Sequence, residues 1–118
     1  MSGTTTQAAQ PEDLSRMVVE RLNAGDVDGL VALYEPHAVL ALPDGRVATG
    51  TAEIRAAYEQ LVASAPVFAP GEIRPALRSG DLAMTSVRLA GGEATVEVAR
   101  LQPDGSWLWV IDQPRILG

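Results

Sequence analysis

Residues 96–114 read VEVARLQPDGSWLWVIDQP. Apolar and polar residues alternate, the chain turns at Pro103-Asp104-Gly105, and the alternation resumes. A period of two marks strands with one buried face, and Pro-Asp-Gly between two such runs marks a hairpin. Two carboxylates interrupt an otherwise apolar hairpin. Glu97 stands inside the first arm and Asp112 near the end of the second. An antiparallel sheet commonly spends its charges on a solvated face. The fold and the function both turn on which face each acid takes.

The registers follow from the turns. Gln102-Pro103-Asp104-Gly105 fits a type I turn with a left-handed glycine, so Ala99 opposes Trp109 and Glu97 opposes Ile111. Gly91-Gly92 separates LAMTSVRLA (82–90) from EATVEVARLQ (93–102) and reads as a two-residue turn. Met84 then opposes Ala99 and Ser86 opposes Glu97. One face gathers Met84, Ser86, Arg88, Glu97, Trp109 and Ile111, bulky and mixed with polar groups, as a pocket wall is. The other gathers Val87, Leu89, Val96, Val98, Leu108 and Val110, together with Asp112. Glu97 is thus assigned to the pocket, and Asp112 to the strand end at or near its rim. A single β-bulge in the last strand would reverse Asp112. Two plainer readings stand beside these: a cross-strand ion pair between Glu97 and its diagonal neighbour Arg88, and Asp112 as a solvated strand end.

Working outward, residues 72–80 (EIRPALRSG) read as one further strand, with Pro75 implying an edge or a bulge. The first half of the chain is helical in pattern. In residues 11–25, Leu14, Met17, Val18 and Leu22 share a face, Pro11 suits the first turn and Gly25 the stop. Residues 26–36 follow with Asp26 as N-cap, Leu30, Leu33 and Tyr34 on the apolar side, and Pro36 closing the segment. His37 then stands at an exposed turn into the strand HAVLAL, which Pro43-Asp44-Gly45 turns into RVATG. A third helix starts near Thr51 with Ile54, Ala57, Tyr58, Leu61 and Val62 at helical spacing, and Pro66 lies past its end. Helices early and antiparallel strands late predict an α+β fold: three helices on a strongly bent, mostly antiparallel six-stranded sheet.

The chain has 118 residues, enough for one core. Residues 1–10 read as a flexible tail, without the basic start and apolar run of a signal peptide, and residues 11–118 as a single domain. A formal net charge of −6 speaks against nucleic acid or an anionic membrane as partner. No run of 18 apolar residues suggests a membrane span, and a cytoplasmic location is the expectation. Without cysteine and with one histidine, the chain offers no zinc-thiolate or all-histidine metal site. Its nine basic residues are all arginine, which rules out a lysine Schiff base. No glycine-rich cofactor motif occurs, so neither a cofactor nor a metal is expected.

Three stretches together, NAGDVDGLVALYEPHAVLALPDG, GTAEIRAAYEQLVA and PDGSWLWVIDQP, resemble the nuclear-transport-factor-2-like superfamily. That group includes ketosteroid isomerases and SnoaL-like polyketide cyclases. The resemblance runs from about Pro11 to Pro114. It implies a cone-shaped α+β barrel around one small-molecule pocket, often in a homodimer. The isomerase's general-base aspartate would fall at Leu42, its oxyanion-hole tyrosine near Val18, and its protonated acid at Glu97. Only Glu97 keeps a suitable group, which speaks against the isomerase's own reaction, because fold does not fix function.

The expectation is a protein with a hydrophobic small-molecule pocket, acting as an isomerase, cyclase or hydrolase, or binding an apolar ligand without catalysis. Glu97 and Asp112 are the candidate acids. Tyr34, Leu42, Tyr58, Met84 and Trp109 are the candidate ligand-binding residues. A homodimer through the flat sheet face is the expected assembly.

Overall fold

A computed structural model describes residues 7–64, 68–69 and 71–116. Its elements are α1 (Asp13–Ala24), α2 (Val27–Val31), β1 (Tyr34–Ala41), β2 (Val47–Thr49), α3 (Gly50–Ala63), β3 (Glu72–Ile73), β4 (Leu77–Ser79), β5 (Leu82–Arg88), β6 (Ala94–Leu101) and β7 (Trp107–Ile116). Leu14 and Met17 bury the apolar face of α1, with Val18 and Leu22 packed behind them. Gly25, at φ 69°, ends that helix where the chain must turn left-handed. Asp26 then caps α2, its carboxylate accepting the Gly29 N–H at 2.9 Å. Ile54 and Tyr58, four residues apart, are the buried side of α3. Pro66, expected beyond that helix, lies outside the described residues.

The strands form one sheet in the order β2-β1-β7-β6-β5-β3, with β4 also paired to β5. All neighbours are antiparallel except β1 and β7 at the centre. The sheet has seven strands instead of six because residues 72–80 break at Pro75. Proline cannot donate to a ladder, so β3 pairs with the end of β5 and β4 with its start. Helix α3 packs on β1 and β2, α1 on β5 and β7, and α2 lies against both helices. One face of the sheet is thereby covered.

Two boundaries differ from expectation. The segment expected to stay helical to Pro36 leaves the helix at Val31, and Tyr34 opens β1. Parallel pairing takes over there: Tyr34 opposes Trp109, and the Trp109 N–H donates to Leu33 O at 2.8 Å. The expected tail is corrected at its inner end. Ala8 is buried and bridges to Trp107, whose N–H donates to Ala8 O at 3.0 Å. Residues 1–6 lie outside the described residues.

Register decides the faces. Three hairpins use the same loop. Leu42, Leu89 and Gln102 each donate N–H to the carbonyl four residues on, at 2.9, 2.7 and 2.7 Å. Gly45, Gly92 and Gly105 each donate back, at 3.1, 2.9 and 2.9 Å, from φ values of 87°, 91° and 88°. Ala90-Gly91-Gly92 is therefore a three-residue loop with one left-handed glycine, not a two-residue turn. β5 slides by one residue against β6, so Thr85 opposes Glu97 and Met84 opposes Val98. A one-residue slip reverses every side chain of the strand. Met84, expected on the pocket wall, is 47% exposed on the outer face, while Ala83, Thr85 and Val87 turn inward.

A second irregularity lies in β7. Ala99 opposes Trp109 as expected, but Val98 opposes Ile111, leaving Val110 as an extra residue. This bulge turns Ile111 outward to 50% exposure and brings Asp112 in, directly opposite Glu97.

The loop assignment makes a contrast between neighbouring glycines. Gly92→Ala should cost about 1 kcal/mol, because alanine resists positive φ. Gly91→Ala, with open space at its Cβ position and no positive φ, should stay within roughly 0.5 kcal/mol of the parent. Urea denaturation of the two variants checks this; equal losses would favour the two-residue turn.

Candidate active site: two buried acids and their relays

Glu97 and Asp112 face each other across the β6–β7 ladder. They are 3% and 5% exposed. Each is held by its own hydrogen bonds. The Thr85 hydroxyl, from β5, donates to Glu97 Oε1 at 2.6 Å. Trp109 Nε1–H, from β7, donates to Thr85 Oγ1 at 3.2 Å. On the other side, the Tyr34 hydroxyl, from the start of β1, donates to Asp112 Oδ2. Tyr58, from α3, lies with its hydroxyl 2.6 Å from that of Tyr34. The rings pack as well: Tyr34 has its centroid 5.5 Å from Trp109 and 6.0 Å from Tyr58.

Thus Glu97, Asp112, Tyr34, Tyr58 and Trp109, five of the seven residues expected at the site, come together. Leu42 is half-buried beyond the end of β1, packed against the edge of the core. Met84 is on the other face. Sequence reasoning missed Thr85, which a two-residue turn at Gly91-Gly92 would point outward. The ion-pair reading of Glu97 is corrected: Arg88 is exposed and opposes Ala94. Asp112 is not a solvated strand end, because the bulge buries it.

Electrostatics follows from this burial. Burial pushes Glu97 up to about 7, the Asp112 charge adding to the rise and the Thr85 and Thr95 hydroxyls opposing it. Burial pushes Asp112 up to about 6, against the pull of the Tyr34 hydroxyl. Both tyrosine hydroxyls are held above their ordinary range, with burial the largest cause. Near neutral pH the pair therefore tends to hold one proton between two oppositely placed acids, and titrates as a unit. Such a pair can take a proton with one group and give one with the other.

A cleft of about 310 Å³ lies elsewhere, lined by Gly71, Glu72, Arg88, Leu89 and Ala90. None of these belongs to the acid cluster. Among the described residues no three His, Cys, Asp or Glu side chains group as a metal site. No helix among them is long and apolar enough to cross a membrane.

Three helices on one face of a bent, mostly antiparallel sheet define a class of fold that known proteins share. Residues 15–117 match the SnoaL-like domain family. The chain belongs to that family. No curated protein matches it in sequence. A candidate calcium/calmodulin-dependent protein kinase type II association domain from Thiobacillus denitrificans superposes with a TM-score of 0.78 at 17% identity, over 95% of this chain and 99% of that one. A ketosteroid isomerase-like protein from Erwinia carotovora atroseptica gives 0.70 at 22% identity, over 91% and 94%. A protein from Novosphingobium aromaticivorans, called NTF2-like with a cystatin-like fold, gives 0.68 at 20% identity, over 86% and 75%. At these identities the likeness establishes the fold alone.

Stability should carry the mark of the acid pair. The folded-state values lie above the ordinary 4.5 and 3.8, so the folded chain binds more protons than the unfolded one. The stability that the pair contributes is fully present below about pH 4 and is lost as pH rises through the window up to about 7. Glu97→Gln removes one ionisation while keeping the shape. In urea melts the variant should be the more stable protein at pH 8, by roughly 2 kcal/mol, and show a flatter pH profile.

Proposed function

We propose that this chain binds a hydrophobic carbonyl compound and transfers protons on it with the Glu97–Asp112 pair, as a cofactor-independent acid–base enzyme of the SnoaL-like and ketosteroid-isomerase-like type. The observation that carries this reading is the opposition of two buried acids with separate hydrogen-bond relays. A core selected for stability alone gains by replacing buried ionisable groups with apolar ones. Keeping two of them side by side costs stability, and sites of chemistry are where such costs are retained.

The roles follow from the shared proton: the ionised carboxyl of the pair takes a proton from carbon beside a carbonyl, and the protonated one donates to the oxygen or carbon where negative charge grows. Tyr34, Tyr58 and Trp109 supply the aromatic surround. Isomerisation and cyclisation both need this proton traffic, and the ketosteroid isomerase-like neighbour supports the class.

Deuterium incorporation into a cyclic enone such as 2-cyclohexenone, followed by NMR, tests the chemistry. Wild-type protein should speed exchange at the carbon beside the carbonyl. Asp112→Asn should abolish the effect, a loss of at least about 100-fold for a general base. Planar phenols such as 2-naphthol should bind and perturb tryptophan emission. Failure of the wild type in both assays, over a panel of enones and phenols, would reject the reading.

The assembly proposed is a homodimer through the outer sheet face. Leu77, Met84, Val98, Ile111 and Val39 stand in one cross-strand row over β4, β5, β6, β7 and β1. Leu77 is 72% exposed, Met84 47% and Ile111 50%. This row replaces Val87, which turns inward, as the centre of the expected patch. An apolar row of this extent is the kind of surface a symmetric partner covers. Sedimentation velocity should find a dimer at micromolar concentration, and Met84→Glu should shift it to monomer with the fold intact by circular dichroism.

A further inference from the structure

The two acids end two hydrogen-bond relays, and only one relay has a fixed direction. Trp109 Nε1–H is a donor and cannot accept. It points to Thr85 Oγ1 at 3.2 Å, so Thr85 accepts there. The Thr85 hydroxyl has one proton to give. Its other side-chain partner among the described residues is Glu97 Oε1, at 2.6 Å. Thr85 is 1% exposed, so a proton turned elsewhere would meet no water. That proton is committed to Glu97 Oε1.

The opposite relay is built of hydroxyls, each able to give or take. With Asp112 ionised, Tyr34 donates to Asp112 Oδ2, and Tyr58 must then donate to Tyr34. With Asp112 protonated, both bonds can turn round, running from Asp112 to Tyr34 to Tyr58. Protonating Asp112 thus shifts the donor left over from Asp112 to the Tyr58 hydroxyl at the far end of the relay. Glu97 lacks that freedom at Oε1, which the Thr85 hydroxyl holds, and the Thr95 hydroxyl, itself accepting the Val87 N–H at 3.0 Å, is a second donor to the carboxyl.

We propose that Thr85, anchored by the Trp109 indole, is the positioning residue of the site, holding Glu97 Oε1 as a fixed acceptor and so setting the orientation of the carboxyl. The inference rests on the acid–base reading above and assigns the group that orients Glu97 within it. Thr85 acts through Glu97 and needs no contact with a substrate. The groups facing Glu97 are Asp112 from β7, Tyr58 from α3 and the Thr95 hydroxyl on its own strand, with Tyr34 of β1 behind Asp112. None of these repeats the link from Thr85 to the indole.

The link can be read without any ligand. Titrating the wild type by NMR, from about pH 4 to 9, follows the Glu97 carboxyl carbon and the Trp109 indole proton. The indole resonance should move with the midpoint of Glu97, because Thr85 joins them. Thr85→Ser keeps the hydroxyl and should keep both midpoints. Thr85→Val removes it, and should raise the Glu97 midpoint by about one unit and uncouple the indole from it. A wild-type indole resonance that stays flat through the Glu97 titration would overturn the proposal, even if Thr85→Val does not fold. An unchanged Glu97 midpoint in folded Thr85→Val would overturn it equally. Enone exchange and phenol binding by the wild type test the function separately. An intact relay with no exchange removes the proposed chemistry, and exchange with a flat indole removes the role of Thr85.

Discussion

Parity governs this molecule. Along a strand, successive side chains point to opposite faces, so one residue gained or lost changes inside to outside for everything downstream. The chain spends one such residue in β7, where Val110 is the extra member of a bulge. Without it, Asp112 would point to solvent and Ile111 into the helices. With it, two carboxylates meet under Tyr34 and beside Thr85. The burial of Asp112, its raised titration and its bond with Tyr34 depend on that insertion, while the Trp109–Thr85–Glu97 relay depends on the three-residue loop that sets the register of β5. The outer face depends on the insertion too, since the same bulge places Ile111 in the apolar row with Met84 and Val98.

The acids are tolerable in the interior because each has donors of its own. A buried carboxylate without partners would be far more costly than one holding a hydroxyl proton. Thr85 and Tyr34 fill that role from strands on either side of the β6–β7 pair, and neither brings a charge. Because no guanidinium among the described residues pairs with them, the two acids instead share the burden by protonation. An arginine at the same place would make a structural ion pair and leave nothing for proton transfer near neutral pH.

Much of this is legible in the chain itself. The alternation of residues 96–114 with its Pro-Asp-Gly turn places Glu97 inward, and the period of 3.6 in α1 and α3 places Leu14, Met17, Ile54 and Tyr58 in the core. The face of β5 escapes for a local reason. Gly91-Gly92 suits a two-residue turn, yet Leu89 to Glu93 repeats the glycine position of Leu42 to Arg46 and of Gln102 to Ser106. That shared spacing is the available signal for Thr85. Nothing marks Val110 as a bulge, since valine is at home in any strand. Tyr34 reads as helical because its place in β1 comes from pairing with β7, a contact far away in sequence that local pattern cannot carry.

That distant contact sets a schedule for the chain. Tyr34 and Asp112, joined by a hydrogen bond, are 78 positions apart. The β5–β6–β7 meander closes by short hairpins, but β1 gains its central neighbour only when β7 is present. Loop closure on that scale is slow compared with hairpin formation. During synthesis the early helices and β1 must wait, with apolar surface uncovered, until β7 has left the ribosome. A chain cut short before Trp107 would lack the central ladder as well as the acid pair, so the sheet and the two-acid cluster are completed together.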